Sequence, residues 1–332
     1  MMNKGFSVAV FLSGASFALC LAPFHFWFLT FPCLAFFAWR LLASTSTKQA
    51  FVTSYLFGLG LNLAAVSWVF VSINSHSNTP FIISLFLTLL FCGFLALLYA
   101  AAGVFHFRFF GKGLSALLLG FPTIMVLQEF LKTWLFTGFP WPFIGYSQTD
   151  SWLVGFAPVI GVNGLTFICC FIAALLCWCF TLNKKNILIS SLLICGLFIS
   201  GYCLKTVEWA EATDKKTTVS LVQANTPQEK KWDPDYLQET INQYMSLSQL
   251  EWQKGGVVIW PESAMPRLYE YSQDSFTKIA EYANQYHGGF MSGVITHKTN
   301  EQGSTDYFNS IMAFAGAQGI YSKRHLVPFG EI

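Results

Sequence analysis

Charged residues are scarce in this sequence: Asp, Glu, Lys and Arg make up only 11% of its 332 residues, against about 25% in soluble domains. A chain with 54% hydrophobic residues and 35 Phe at so low a charge content needs lipid around most of its length. The formal net charge of +2 provides no cationic surplus for a nucleic-acid backbone, which excludes that class of partner. Cysteine is absent beyond Cys203. The length allows about two domains.

The few charges are unevenly placed. Residues 1–204 hold eight of the 19 Lys/Arg and two of the 17 acidic residues, so the remainder falls in 205–332. The boundary between a membrane part, 1–205, and a water-facing part, 206–332, therefore lies near Lys205. No charge occurs from Gly5 to Trp39, from Gln49 to Phe107, or from Ser151 to Asn183. Crossing a bilayer takes about 20 apolar helical residues. Cut at Pro23 and at the polar stretch Ser72–Pro80, these runs predict seven spans near 6–22, 24–43, 50–71, 81–105, 113–136, 159–182 and 187–204.

With a cytoplasmic N-terminus, Lys4, Arg40, Lys48, Arg108, Lys112, Lys184 and Lys185 all fall inside and only Lys132 falls outside. An odd number of spans then delivers the water-facing part to the far side, the periplasm of a bacterium. The first span lacks a clean small-x-small cleavage site, and Leu19 occupies the position where a lipoprotein processing site needs a small residue, so neither form of processing is expected.

The nine cysteines lie mostly inside predicted spans, with Cys169, Cys170, Cys177 and Cys179 crowding one helix away from any His or carboxylate. Packing residues are the plain reading, with redox or metal chemistry the alternative. Glu129 and Lys132 stand three residues apart near a span's end. They either pair and snorkel to the interface or mark a function. The loop Gly138-Phe139-Pro140-Trp141-Pro142-Phe143-Ile144-Gly145-Tyr146-Ser147-Gln148 is too rich in Pro and Gly for a helix. Its aromatics suit either an interfacial belt or the wall of a lipid-access site.

From Thr217 the pattern changes. Strands are expected at 218–223, 256–260, 289–296 and 307–316, with helices at 234–252 and 273–286, a layered α/β arrangement. In Ile259-Trp260-Pro261-Glu262-Ser263-Ala264 the carboxylate emerges where a buried strand ends. Glu262 is either a general base or a solvated loop residue. In Tyr321-Ser322-Lys323-Arg324-His325-Leu326-Val327-Pro328-Phe329-Gly330-Glu331 a lysine suits oxyanion stabilisation, and a basic surface turn is the alternative.

Four ordered segments resemble the apolipoprotein N-acyltransferase family of the bacterial inner membrane: Gly138–Trp141 with Gly145–Gln148, Leu221–Asn225 through Lys231–Pro234, Trp260–Ser263, and Lys323–Glu331. The resemblance implies a multi-pass α-helical bundle, eight helices in the family, carrying a periplasmic nitrilase-like domain, an α-β-β-α sandwich. It implies a Glu-Lys-Cys triad in which Glu262 is the general base, Lys323 stabilises the oxyanion and Glu331 supports the site. Trp232 corresponds to the aromatic of a loop near the lipid entrance, and Trp141 and Tyr146 join it as substrate-binding candidates.

The reaction so implied is ping-pong transfer of an acyl chain from phosphatidylethanolamine to the α-amine of a diacylglyceryl-cysteine apolipoprotein, needing neither metal nor diffusible cofactor. The family's nucleophilic Cys has no counterpart here, since all nine cysteines precede the water-facing part. On that basis the chain is expected to be an N-terminal fragment or a truncated product, to be inactive as it stands, and to carry an incomplete sandwich that is marginal alone, with an open edge and an uncovered apolar face. A membrane-tethered carbon–nitrogen hydrolase would share Glu262 and Lys323 but release acid to water. A transporter is disfavoured by the absence of a visible repeat and by the scarcity of intramembrane charge.

Overall fold

The computed structural model describes residues 4–76, 79–299 and 303–327. They form two compact units, one running to Ala210 and one over Glu211–Leu326.

The first unit is helical because an apolar chain in lipid must satisfy its backbone hydrogen bonds within each segment. Its helices are α1 (Lys4–Ser16), α2 (Thr30–Leu42), α3 (Thr47–Val66), α4 (Phe81–Phe109), α5 (Phe121–Lys132), α6 (Ala157–Cys179) and α7 (Lys184–Lys205). Side chains cap two of them. Ser46 Oγ accepts from Gln49 N–H ahead of α3, and Asn183 Oδ1 accepts from Lys185 N–H ahead of α7. Helices α1 and α3 approach through glycine: a Cβ on Gly14 would lie 2.0 Å from Phe57 O, and one on Gly60 would lie 2.1 Å from Phe11 O. Small residues at such crossings let membrane helices pack backbone to backbone. Phe37 and Phe57 stack at 4.2 Å in the centre of this unit, with Cys169 and Cys170 fully buried in the same cluster as packing residues.

Among the described residues four helical stretches are long and apolar enough to cross a membrane: Thr47–Val66, Phe81–Phe109, Trp152–Cys179 and Lys184–Lys205. The first two expected spans correspond to shorter apolar helices, Lys4–Cys20 and Trp27–Leu42. The expected span at 113–136 is divided into a π-helical turn, Ala116–Gly120, and α5. Hydropathy alone registers where the chain is apolar, not where its hydrogen-bond ladder changes pitch.

The second unit holds a five-stranded sheet in the order β1 (Val219–Leu221), β2 (Val257–Trp260), β3 (Gly289–Thr299), β4 (Thr305–Ala315), β5 (Gly319–Ser322). The first three strands are parallel and the last two pairings antiparallel. The parallel steps cross over through α8 (Leu237–Gln253) and α9 (Gln273–Gln285). Both helices cover one face. Tyr244 of α8 lies 4.8 Å from the Trp260 ring, and Phe276 of α9 stacks on Phe314 at 4.4 Å. The indole N–H of Trp260 donates to Ser248 Oγ at 2.8 Å, so that fully buried ring leaves no polar atom unmet.

The segment starting at Tyr321 opens within a strand that the sequence pattern did not indicate, β5, where Tyr321 and Ser322 pair with Ile311 and Ser310 of β4. The described residues contain a single sheet with helices on one face. Its other face presents Leu221, Tyr307 and Tyr321, each more than half exposed.

Truncating the ring at the centre of the helix-covered face tests this packing. Phe276→Ala should cost about 3–5 kcal/mol, as for other core aromatics. Hydrogen exchange of the β3 and β4 amides in the detergent-solubilised chain should then accelerate about a hundredfold or more, with the α3 and α4 amides unchanged.

Candidate active site

Trp260 is buried against Tyr244 and Phe290 and anchors the end of β2. Pro261 follows, and its missing N–H ends the ladder. The chain then turns tightly, closed by Ala264 N–H donating to Pro261 C=O at 3.2 Å, with Ser263 in the left-handed region at φ 49°. This turn sits directly on β3 at Gly293: a Cβ there would lie 2.6 Å from Pro261 O and 2.7 Å from Glu262 Cα. A glycine inside a strand often marks such a close backbone approach.

The turn projects Glu262 from the end of the sheet. Its Oε1 lies 3.8 Å from Lys323 Nζ. Lys323 follows β5, and its N–H donates to Asn309 C=O of β4 at 2.8 Å. The Asn309 side-chain amide donates in turn to Glu262 Oε1. Asn309 thus touches both groups, one through its backbone and one through its side chain. From the other side, Lys231 Nζ donates to the Glu262 carbonyl oxygen at 3.4 Å.

The Glu262 and Lys323 side chains are 60% and 32% exposed, so the pair adds at most about 1 kcal/mol to stability. Its value is positional. A carboxylate able to take a proton and a cation able to face a developing oxyanion stand side by side at one edge of the sheet. The structure therefore brings together Glu262 and Lys323, which are sixty-one positions apart in the chain. Among the described residues no cluster of His, Cys, Asp and Glu is arranged to hold a metal ion.

Glu331 lies outside the described residues. Trp232 is 53% exposed and adjoins Lys231 at the end of a single helical turn. Trp141 and Tyr146 belong to the helical unit. Trp141 packs against Trp68 and Phe139 at 5.5 and 5.8 Å, and Tyr146 stacks on Phe143 at 5.5 Å.

The 138–148 loop that carries these two aromatics is held from below by Glu129. Its Oε1 accepts from Ile144 N–H at 2.7 Å and its Oε2 from the Thr166 hydroxyl at 2.6 Å. The Thr166 hydroxyl oxygen accepts from Gly145 N–H at 2.9 Å. Glu129 and Lys132 are fully buried and no ion pair within 4.0 Å joins them, so the pair does not snorkel outward. Gly293, Asn309 and Lys231 were not foreseen from the sequence. A polar residue and a glycine inside otherwise apolar strands were the available signals, but only strand register converts them into site residues.

The model of the apolipoprotein N-acyltransferase N-terminal domain matches residues 13–175. Among curated relatives, an apolipoprotein N-acyltransferase of Coxiella burnetii is 37% identical, covering 98% of this chain and 67% of the relative. Those of Methylococcus capsulatus and Pseudomonas syringae are 35% and 32% identical, covering 88% and 96% of this chain and 58% and 63% of the relatives. The chain thus spans about two thirds or less of the length of the curated relatives it matches. On these matches the chain belongs to the apolipoprotein N-acyltransferase family, a family of acyltransferases.

Proposed function

We propose that this chain supplies the general base and the oxyanion-stabilising cation of a phospholipid-dependent N-acyl transfer to apolipoproteins. The observation that carries this reading is the convergence of Glu262 and Lys323 at 3.8 Å on a shared asparagine. In the first half-reaction Glu262 takes the proton of a thiol, and the thiolate attacks an ester carbonyl of phosphatidylethanolamine. Lys323 faces the tetrahedral oxyanion. Collapse breaks the C–O bond, and the proton held by Glu262 passes to the departing lysophospholipid oxygen. In the second half-reaction the α-amine of a diacylglyceryl-cysteine apolipoprotein attacks the thioester. Glu262 accepts the amine proton, and the thiol is regenerated as the amide forms.

All nine cysteines lie at or before Cys203, in the helical unit. The nucleophilic thiol served by Glu262 and Lys323 is accordingly proposed to come from outside these 332 residues, and Glu331 to support the site. Trp232, Trp141 and Tyr146 are proposed to contact the lipid substrates. The Lys/Arg bias supports an inner-membrane protein with a cytoplasmic N-terminus and a periplasmic catalytic unit. The single helix-backed sheet supports one half of a nitrilase-like sandwich, whose bare face a second sheet would cover.

Two outcomes test the mechanism. A polypeptide of these 332 residues, given fluorescent phosphatidylethanolamine in detergent micelles, should form no hydroxylamine-sensitive acyl adduct. Joined to the remaining C-terminal third of the Coxiella burnetii relative, it should transfer the acyl chain to a diacylglyceryl-cysteine peptide. In that chimera Glu262→Gln and Lys323→Met should each slow transfer about a hundredfold or more. Full activity in either variant rejects the assigned roles, and acid released in place of amide would indicate a hydrolase.

Gly293→Ala provides a geometric check in the same chimera. The added methyl must push the Pro261–Ala264 turn off β3, and a displacement near 1 Å costs about a hundredfold in rate. Exchange protection of the β3–β4 hairpin away from the turn should persist.

A further inference from the structure

Lys132, at the end of α5, is 2% exposed. No ion pair within 4.0 Å joins it to the neighbouring carboxylate of Glu129, whose oxygens accept from the Ile144 N–H and the Thr166 hydroxyl. The Lys132 amine lies 5.0 Å from the Phe143 ring centroid and 5.7 Å from that of Tyr99. Ring faces attract a cation but do not replace three hydrogen-bond acceptors. Among the described residues Nζ has no acceptor. A buried ammonium left in this condition is among the costliest arrangements an apolar interior can hold, so the site calls for an acceptor that the protein itself does not provide.

Lys132 lines a cavity of about 20 Å³ whose other walls include Phe91, Phe94 and Leu98 of α4, with Leu135, Phe136 and Phe139 of the following turn. That volume is enough to admit an oxygen-sized group. The walls are hydrocarbon, and Leu135 and Phe136 are 41% and 57% exposed on the outside of the helical unit. An oxygen reaching Lys132 by this route arrives on an apolar carrier.

A phosphate group would bring further negative charge beside Glu129. The Glu129–Lys132 couple is already neutral in sum, so the matching ligand is a neutral acceptor with a single exposed oxygen. We propose that Lys132 is a lipid-binding residue, donating to the ester carbonyl of a bilayer glycerolipid whose acyl chain lies between α4 and the 135–139 turn. Headgroup chemistry is not selected at this position. The site is built wholly within the helical unit and does not depend on the acyl-transfer reading of Glu262 and Lys323.

Diester lipids and their diether analogues differ only in the ester carbonyls, which gives a direct test. The delipidated 332-residue chain is offered equimolar diester and diether phosphatidylcholine, and retained lipid is counted by native mass spectrometry. The wild type should retain the diester form about tenfold over the diether form, the lower range for one hydrogen bond from a charged donor. Lys132→Met should bring the ratio to about one. Because Lys132→Met leaves Glu129 buried without its counter-charge, Glu129→Gln/Lys132→Met is measured beside it, with thermal melting in detergent confirming that the double variant folds. It too should lose the preference. Equal retention by the wild type, or a preference that survives in the folded double variant, overturns the proposal. Displacement of the diester lipid by oleate at equal concentration would also overturn it, since the ligand would then be a carboxylate.

Discussion

Glu262 can face Lys323 only because β3 is bare at Gly293. The turn that carries the carboxylate rests on that glycine at a distance no side chain would allow, 2.7 Å from a hypothetical Cβ to Glu262 Cα. Everything else at the sheet edge follows from the contact. With the turn in place, the Glu262 carboxylate comes within reach of the Asn309 amide on the next strand. Asn309 in turn holds the backbone of Lys323 through the pairing that carries β5 alongside β4. Four segments of chain are thereby brought to one corner by strand register, with a backbone contact and not an ion pair fixing the geometry.

The two units use the same charge types in opposite ways. Glu262 and Lys323 are solvent-accessible, close to one another and connected by a neutral amide. Water shares their charge, so the pair is cheap to maintain and free to act on a proton or an oxyanion. Glu129 and Lys132 are buried and do not meet. There the carboxylate serves as an acceptor for backbone and hydroxyl donors and ties the aromatic loop 138–148 to α5 and α6. In lipid surroundings an ionised group is retained where its hydrogen bonds organise backbone that has no regular partner of its own. The loop with two prolines is such a backbone, and Trp141 and Tyr146 are displayed from it.

Much of the plan was legible from the chain. The charge-free runs marked the helical unit, and the change at Thr217 marked the second. Alternation and length located β2, β3, β4, α8 and α9 within a few residues. The segments around Glu262 and Lys323 stood out by residue type. Other features left no local trace. Strand β5 was hidden because Lys323-Arg324-His325 directly after it reads as a turn, and only its register against β4 shows the pairing. The π-helical turn at Ala116–Gly120 divided a continuous apolar run, since side-chain polarity does not report a change of hydrogen-bond pitch.

By itself the sequence determined which part of this protein is apolar and which is polar, the order of most of its strands and helices, and the residue types on offer for chemistry. These are properties of composition and of short-range periodicity. The tertiary structure decided which of those residues meet. Glycine beneath the turn, Asn309 between Glu262 and Lys323, and the engagement of Glu129 with Ile144 and Thr166 all join positions at least fourteen residues apart. Such contacts depend on how neighbouring strands and helices are aligned, and alignment is set by the whole packed core, so no local window of residues contains it.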